Sequence, residues 1–366
     1  MLETVREFVA ERLAARPDAA EVARRHADHY RALAERADVR LRGVGHREWA
    51  ERLQAEAGNL AAALGWYLGH DTGPLPHLFR VLWLFWELRD HMGEAHAWVE
   101  QLLPAADSLN PPARAEMLWA SAVAAIEVGD DAAALAASQR LAPLLVEIDD
   151  PHLHAVSQLA MAWTSPIVGD FDGALRGALV SLEELRDQDE PYWTAVAVLS
   201  AGYLEMAVGR HDIAQRHLRE ARDLAERFDF AWLAAWSRVQ LGTLALVRGR
   251  LDEALALLDA ALGLSLTVRS TLNVSLSLAA FARLAFVAGD PERAALLAGA
   301  SEGLRRRVGL RAWPLLRRGE AELVTQLRQA LGADRFDEVF AAGARLNLRE
   351  AVAAVRDRRG ADTAAS

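Results

Sequence analysis

The amino-acid sequence predicts an all-α fold, in which about six helix hairpins stack into a superhelix with a helical cap at each end. Two observations support this prediction. Hydrophobic residues make up 52% of the 366 residues but aromatic residues only 7%, because alanine and leucine, two strong helix formers, dominate the apolar fraction. In addition, a glycine recurs every 40 residues, and small residues recur at fixed distances from it.

The repeat is defined by five glycines at intervals of 40 residues: Gly129, Gly169, Gly209, Gly249 and Gly289. An alanine stands five residues after each glycine, and an alanine or glycine stands seven residues before it. Glycine tolerates the positive φ that ends a helix, so each one is predicted to separate two helices. The small residues on either side of the turn allow these helices to pack closely. Each hairpin must then stack on its neighbours to bury its apolar face.

The starts of the first helices follow the same interval. Pro111 and Pro151 suit the first position of a helix, and Asn110 and Asp150 before them suit the capping position. A sixth, degenerate hairpin is predicted ahead of the five, with helices over 78–88 and 94–103. The repeat array is thus assigned to residues 71–310.

The flanking regions are predicted to be helical but lie outside the repeat. Residues 1–70 form an entry segment with three predicted helices, at 2–15, 19–37 and 47–68. Residues 311–357 form a C-terminal cap, in which Gly319 and Gly332 separate short helices near 320–331, 334–344 and 348–357. The tail 358–366 is predicted to be disordered.

A small residue followed 12 positions later by alanine, across a helix–turn–helix, resembles the tetratricopeptide (TPR) pattern, although the period here is 40 rather than 34 residues. Further phrases resemble the TPR-like sensor region of bacterial STAND-type NTPase regulators, a family that includes LuxR-type and maltose-activator-like transcriptional regulators. These phrases are LETVREFVAERL (2–13), RRHADHYRALAERA (24–37), WAERLQAEAGNLAAALGWYL (49–68), AALLAGASEGLRRRVGL (294–310) and LNLREAVAAVR (346–356).

This resemblance implies a sensor that passes a change in its own structure to an NTPase and a DNA-binding domain. The sequence shows neither an ATPase loop nor an evident DNA-reading helix. The resemblance therefore leaves two possibilities open. The chain is either an excised or split sensor half of a regulator or a free-standing relative.

Composition excludes several kinds of chemistry. The chain has no cysteine, which rules out disulfides, thiolate metal sites and a cysteine nucleophile. It also has no lysine, which rules out a Walker A lysine and Schiff-base catalysis. The net charge of −10 is concentrated between residues 71 and 300, and such an acidic surface repels nucleic acid. No signal peptide or membrane span is evident, so a cytoplasmic protein is expected.

No catalytic, metal or cofactor site is predicted. His26 and His29 could face one metal ion, but no third ligand is apparent, and histidines on an amphipathic helix are usually solvated. Asp150 and Asp170 lie at turns, where aspartate caps helices. An enzyme with a buried His/Asp pair remains an alternative to a binding protein. The basic cluster formed by Arg305–Arg307, Arg311, Arg317 and Arg318 is interpreted as a solvated face or as a docking surface for an acidic partner.

The concave side of the array is the predicted binding site. TPR-like packing places the residues six and three positions before each glycine on the inner wall, and these positions are mostly apolar. The predicted groove residues are Trp163, Tyr203, Met206, Thr243, Leu246, Arg283 and Phe286. The groove would hold an apolar or amphipathic effector, a peptide or a partner helix, with Arg283 as an anionic anchor. Alternatively, these side chains pack on one another as core.

The function that these observations predict is that of a non-catalytic sensor and protein-interaction module of a transcriptional regulator. The expected partners are a protein or a small effector, together with an NTPase and DNA-binding regulator half, without direct contact with nucleic acid or membrane. The alternative is a free-standing scaffold or adaptor that binds a peptide or a helix.

Overall fold

The computed structural model describes residues 16–43 and 45–357, and within them confirms the all-α fold. These residues form 18 α-helices and three short 3₁₀ segments, with no β-strand among them. The predicted helix at 2–15 and the predicted disordered tail at 358–366 lie outside the described residues. None of the described helices is both long and apolar enough to cross a bilayer.

The entry segment contains three helices: α1 (Ala19–Leu41), α2 (His46–Ala55) and α3 (Ala57–His70). The sequence predicts a single helix over 47–68, and the structure divides it at Glu56. The Glu56 carboxylate accepts hydrogen bonds from Tyr30 Oη at 3.0 Å and from Asn59 Nδ2 at 2.6 Å. These side-chain bonds hold the break between α2 and α3 against α1.

Six hairpins follow, as predicted. The degenerate first hairpin consists of α4 (Leu75–Leu88) and α5 (Met92–Leu102). The first helices of the other five are α6 (Pro111–Val128), α8 (Pro151–Thr164), α10 (Pro191–Ala207), α12 (Ala231–Val247) and α14 (Thr271–Val287). Their second helices are α7 (Asp131–Leu141), α9 (Phe171–Asp187), α11 (His211–Arg227), α13 (Leu251–Thr267) and α15 (Pro291–Arg307). The 3₁₀ segments are Leu103–Ser108, Ala142–Glu147 and Ser165–Val168.

The turns and caps behave as the sequence indicates. All five repeat glycines have positive φ, between 72° and 85°. The Asn110 side chain accepts a hydrogen bond from the backbone N–H of Ala113 at 3.0 Å, and Asp150 caps α8 in the same way. Close hairpin packing is visible at Gly202, where an added Cβ would lie 2.9 Å from Leu218 Cγ. The small residues before each turn therefore set the distance between the paired helices.

The entry segment covers the end of the array where the first helices begin. Arg42 forms ion pairs with Asp38 on its own helix and with Glu190 at the start of α10. The ring of His46 lies 6.0 Å from that of Phe230, at the start of α12. Helices α1 and α2 thus cover the side of the superhelix where the first helices begin.

The C-terminal region contains α16 (Pro314–Leu331), α17 (Ala333–Arg345) and α18 (Leu348–Arg356). Gly319 was expected to separate two helices, but it lies inside α16 and its carbonyl oxygen accepts a hydrogen bond from Arg283. Glycines also bring α17 against α15, since an added Cβ on Gly299 would lie 2.1 Å from the carbonyl oxygen of Phe340. Helix α17 therefore continues the stack, whereas α16 crosses the concave side.

Candidate functional site

The first helices of the hairpins form the inner layer of the superhelix. In α10, α12 and α14 side chains are buried on almost every face, whereas α11 and α13 bury one face and expose the other. A helix that is buried all round must be covered on every side. The first helices are therefore covered on the outside by the second helices and on the inside by other parts of the chain.

Part of this inner cover is supplied by residues 310–331, referred to below as the strap. The strap begins beside the end of α6, where the backbone N–H of Arg311 donates to the carbonyl oxygen of Glu127 at 2.9 Å. Arg317 then forms a two-pronged ion pair with Asp131, at 2.5 and 2.6 Å. These bonds attach the strap to the second hairpin, more than 180 residues earlier in the chain.

Further bonds attach the strap to the later hairpins. Tyr203 Oη on α10 donates to the carbonyl oxygen of Leu315 at 3.2 Å. Arg283 Nη2 on α14 donates to the carbonyl oxygen of Gly319 at 2.7 Å. The strap is thus held along its length by polar side chains of the inner helices rather than by apolar packing alone.

A further attachment joins α15 to α16. Both terminal nitrogens of Arg305 donate to the carboxylate of Glu320, each at 2.8 Å, and Glu302 lies 3.5 Å from the same guanidinium. Arg305 is only 2% exposed. The bidentate pair gives both terminal nitrogens a partner and offsets part of the cost of desolvating the guanidinium, while Arg305 Nε has no hydrogen-bond partner among the described residues. The basic cluster predicted as a solvated or docking face thus contributes two ion pairs within the chain, a buried one at Arg305 and a half-buried one at Arg317.

Between the strap and α10, α12 and α14 lies a cavity of about 1010 Å³, referred to below as the strap cavity. Four of the seven predicted groove residues line it: Tyr203, Met206, Thr243 and Arg283. The strap itself supplies the opposite wall, which was not predicted from the sequence. This wall could not be inferred from the repeat, because the strap lies outside the 40-residue pattern.

The other three predicted groove residues lie elsewhere. Leu246 is 6% exposed and packs with Ala245 and Ala254 of its own hairpin and with Leu284 of the next hairpin. Phe286 packs against the main hydrophobic core. Both positions are therefore part of the packing of the array. Trp163 lies in a second, smaller chamber described below.

Arginines outnumber acids in the wall of the strap cavity. The arginines are Arg283, Arg305, Arg311, Arg317 and Arg318, and the acids are Glu302, Glu320 and Glu322. Among the described residues Arg283 alone of these five arginines has no ion pair, and its hydrogen bond goes to a neutral carbonyl. Burial raises the pKa of the neighbouring Tyr203, which therefore remains a neutral phenol. The cavity offers an anionic group one cation that is not yet neutralised.

The second chamber lies deeper in the superhelix and is lined mainly by indole rings. Its walls, referred to below as the aromatic cage, are Trp83, Trp163, Trp193, Trp232, Trp236, Trp313, Tyr192, Val123, Ile126, Val196, Glu87 and Glu127. The enclosed volume is about 20 Å³, enough for a group the size of one water molecule. The helices α4, α6, α8, α10 and α12 and the strap all contribute to it.

Two glutamates give the aromatic cage its electrostatic character. Glu127 is 1% exposed, and burial raises its pKa to about 7, an effect that the nearby Trp313 indole partly offsets. Burial and the neighbouring Glu127 raise the pKa of Glu87 well above its usual range. Among the residues that the structure describes, no arginine or histidine lines the chamber. The cage therefore combines indole rings with two acids whose pKa values are both raised by burial.

A signal for this chamber was present in the repeat. Glu127 stands two residues before Gly129, and Glu87 stands two residues before Arg89, which takes the place of the glycine in the degenerate hairpin. The same position is apolar in the next units. Two acids at one inner position of adjacent hairpins are thus the observation that could have located the cage.

The other polar candidates from the sequence have structural roles. Asp150 and Asp170 accept hydrogen bonds from backbone N–H groups at the starts of α8 and α9. His26 and His29 pack their rings against Tyr30. Within residues 16–43 and 45–357, no group of three histidine or acidic side chains is arranged to hold a metal ion.

Comparison with known proteins gives matches at the level of structure only. No protein-family model matches the chain, and no curated protein matches it in sequence. The apo form of RapI superposes with a TM-score of 0.53 at 13% identity, covering 74% of this chain and 95% of RapI. A Rap protein complexed with Competence and Sporulation Factor gives 0.52 at 12% identity, covering 94% of this chain and 98% of the other.

The third similar structure is a signal transduction ATPase with numerous domains (STAND) that carries a tetratricopeptide repeat sensor, from Pyrococcus horikoshii. It gives a TM-score of 0.52 at 17% identity and covers 92% of this chain. The chain spans 57% of the length of that protein. At identities this low, the superpositions establish a shared fold and no more. The fold is that of TPR-like helical repeat proteins.

Proposed function

We propose that this protein is a non-catalytic sensor and interaction module that binds an effector or partner segment in the strap cavity. The observation that carries the proposal is the cavity itself. It measures about 1010 Å³ and lies between the inner helices and a strap held largely by polar bonds. Cavities of about 300–1,000 Å³ hold small-molecule ligands in proteins.

The lining indicates the class of ligand. Met206, Leu315 and Leu316 offer apolar surface, while Arg283 offers a guanidinium without an acidic partner. An amphipathic molecule with one acidic group satisfies both features, because its chain replaces water on the apolar wall and its anion pairs with Arg283. A peptide with an acidic side chain or a C-terminal carboxylate has the same chemistry.

The structural comparisons support this proposal through the shared fold. One similar structure is a Rap protein in complex with a named factor, and another is a STAND protein with a repeat sensor. The resemblance of the flanking phrases to STAND-type regulators agrees with the second. We infer that ligand binding displaces the strap, and that an NTPase and DNA-binding partner responds to the change.

A thermal unfolding experiment tests the ligand class. Sodium octanoate should raise the melting temperature saturably, and octanol at equal concentration should have a much smaller effect, because the neutral head cannot pair with Arg283. In Arg283→Met the octanoate response should weaken about tenfold, equivalent to the loss of one charge-assisted hydrogen bond. Arg216→Met, which changes an exposed arginine on α11, is the matched control. An unchanged octanoate response in Arg283→Met would rule out the anchor.

The regulator context has a separate test. If the chain is the sensor half of a split regulator, an adjacent reading frame should encode an NTPase, and the two purified proteins should form a complex on size-exclusion chromatography. A free-standing scaffold predicts no such neighbour and no such complex. The scaffold alternative also predicts that a partner helix or peptide, rather than a small carboxylate, stabilises the protein.

A further inference from the structure

The wall of the strap cavity contains a buried amide without a hydrogen-bond partner. Gln240, on the inner helix α12, is 2% exposed and lines the cavity. Neither Oε1 nor Nε2 of its amide forms a hydrogen bond with a described residue, and neither belongs to the unpartnered atoms that the protein encloses completely. The small exposed area of this side chain therefore includes both amide atoms, which are accessible from the cavity.

The repeat shows that hairpin stacking does not require this amide. Gln240 stands nine residues before the repeat glycine of its hairpin, and the other four hairpins have small residues at the same position: Ala120, Ala160, Ser200 and Ala280. A buried amide without a partner costs free energy, because it has lost its water and gained no hydrogen bond. A ligand that supplies the missing bonds would offset this cost.

The other polar side chains in the described wall of the cavity already have partners within the chain, with one partial exception. The three glutamates and the other four arginines form ion pairs. Hydroxyl groups donate to backbone carbonyl oxygens at Tyr203, Thr243 and Ser301. The exception is Arg283, whose guanidinium has a carbonyl partner but no acid. The wall thus offers a ligand one guanidinium and one amide.

These two groups lie on neighbouring inner helices at similar depth. Helices α12 and α14 pack against each other, and Thr243 holds in α12 the repeat position that Arg283 holds in α14. Gln240 precedes Thr243 by three residues, a rise of about 4.5 Å along the helix. Packed helices lie about 8–10 Å apart, and both side chains are long. One small molecule can therefore contact both groups.

We propose that the ligand of the strap cavity is an N-acyl amino acid, whose carboxylate pairs with Arg283 and whose amide N–H donates to Gln240. This inference rests on the function proposed above and names the ligand class. Gln240 Oε1 accepts the N–H, while Gln240 Nε2 and the remaining N–H groups of Arg283 donate to the oxygens of the ligand. A simple fatty acid has a carboxylate but no N–H group for Gln240.

The rest of the lining favours an acyl chain over a longer peptide. Apolar side chains, among them Met206, Leu276 and Leu316, form much of the wall. An aliphatic chain replaces water there without needing hydrogen bonds. Each additional peptide group would bring an N–H and a carbonyl oxygen that no unpartnered side chain of the wall is left to bond. A ligand with one amide therefore matches the single free amide of the wall.

The direct test uses two probes that differ in one group. Octanoylglycine has an amide N–H, and the ester octanoylglycolate has an oxygen in its place, with the same chain length and charge. Isothermal titration calorimetry of the full-length protein near neutral pH should give about tenfold tighter binding for octanoylglycine, because the ester leaves Gln240 Oε1 without a donor. Equal affinities, or no saturable binding of octanoylglycine, would overturn the proposal.

Variants locate the preference for the amide. Gln240→Met keeps the length of the side chain but removes the amide, and should abolish the preference while leaving ester binding nearly unchanged. Because it replaces an unpartnered buried amide, Gln240→Met should melt at least as high as the wild type, so a lost preference cannot be attributed to unfolding. Gln139→Met, at an exposed position on α7, is the matched control and should keep the preference. A Gln240→Met protein that keeps it contradicts the proposal.

A third variant separates the ligand class from the site. Arg283→Met should weaken the binding of both probes about equally. If it weakens neither, the cavity site and the ligand class both fail. If it weakens both although the wild type binds them equally, the cavity remains the site and only the N-acyl amino acid fails. Acetyl-leucyl-leucyl-glycine ends in the same carboxylate but has three amides, and tighter binding than that of octanoylglycine would identify the ligand as a peptide and overturn the proposal.

Discussion

The two chambers of this superhelix differ in size, charge and depth, although the same inner helices line both. The strap cavity is large, carries more arginines than acids and lies beside a segment held by polar bonds. The aromatic cage is about as large as one water molecule, contains two acids and lies among buried rings. The early hairpins supply the acids Glu87 and Glu127, and the late hairpins supply Arg283 and Arg305. The repeat determines the direction in which a side chain points. The residue that occupies a given repeat position differs between hairpins, and these differences determine what each of the two chambers can bind.

The largest expected effect lies in the wall of the strap cavity, at the pair of Arg305 and Glu320. Glu320→Gln should lower the free energy of unfolding by about 2–3 kcal/mol, because it leaves the 2%-exposed Arg305 with only the more distant Glu302. Urea unfolding measures the loss. The double variant Arg305→Met/Glu320→Met should recover much of it, since the buried charge is then absent. A Glu320→Gln protein as stable as the wild type would show that the strap does not depend on this pair.

The two glutamates of the aromatic cage should make the stability of the protein depend on pH. The pKa of Glu127 is about 7 in the folded protein and close to 4.5 when unfolded, so the folded state binds more protons in this interval. Stability is then greatest below about pH 4.5 as far as this group is concerned, and falls as the pH rises towards 7. The neighbouring Glu87, whose pKa is also raised, acts in the same direction.

The measurement compares the melting temperature of the wild type and of Glu127→Gln between pH 5 and pH 8. The wild type should lose more stability than the variant over this range, and the difference between them should be largest at pH 8. Parallel curves for the two proteins would mean that the Glu127 carboxyl is already ionised at pH 5.

The smallest expected effect concerns the single hydrogen bond from Tyr203 to the strap. Tyr203→Phe should cost about 1 kcal/mol, the usual value for a neutral hydrogen bond, and should leave the hairpins intact. Hydrogen exchange should show faster exchange in residues 310–331 but not in α12. If exchange in α12 also increases, the strap and the inner helices unfold as one unit rather than separately.

Most of the array could be predicted because its determinants are local. Gly129 and its equivalents end helices through positive φ, and Asn110 and Asp150 cap the next helices, interactions that involve residues within a few positions of one another. The break at Glu56 was missed, and one of the two side-chain bonds at Glu56 comes from the Tyr30 hydroxyl, 26 residues away. Tyr203 and Arg283 line part of the predicted groove. They could be named from the sequence because their location depends only on their position in the repeat.

The sequence by itself determined that this chain forms helix hairpins with a 40-residue period, because helix periodicity and turn geometry are properties of neighbouring residues. Only the tertiary structure decided that the strap crosses the concave side, that Arg305 is buried against Glu320 and that six tryptophans enclose Glu127. These features join segments between 15 and about 230 residues apart. The free energies of these contacts come from packing and from the removal of water around charged groups. Both contributions arise only when the distant segments have come together in the folded superhelix.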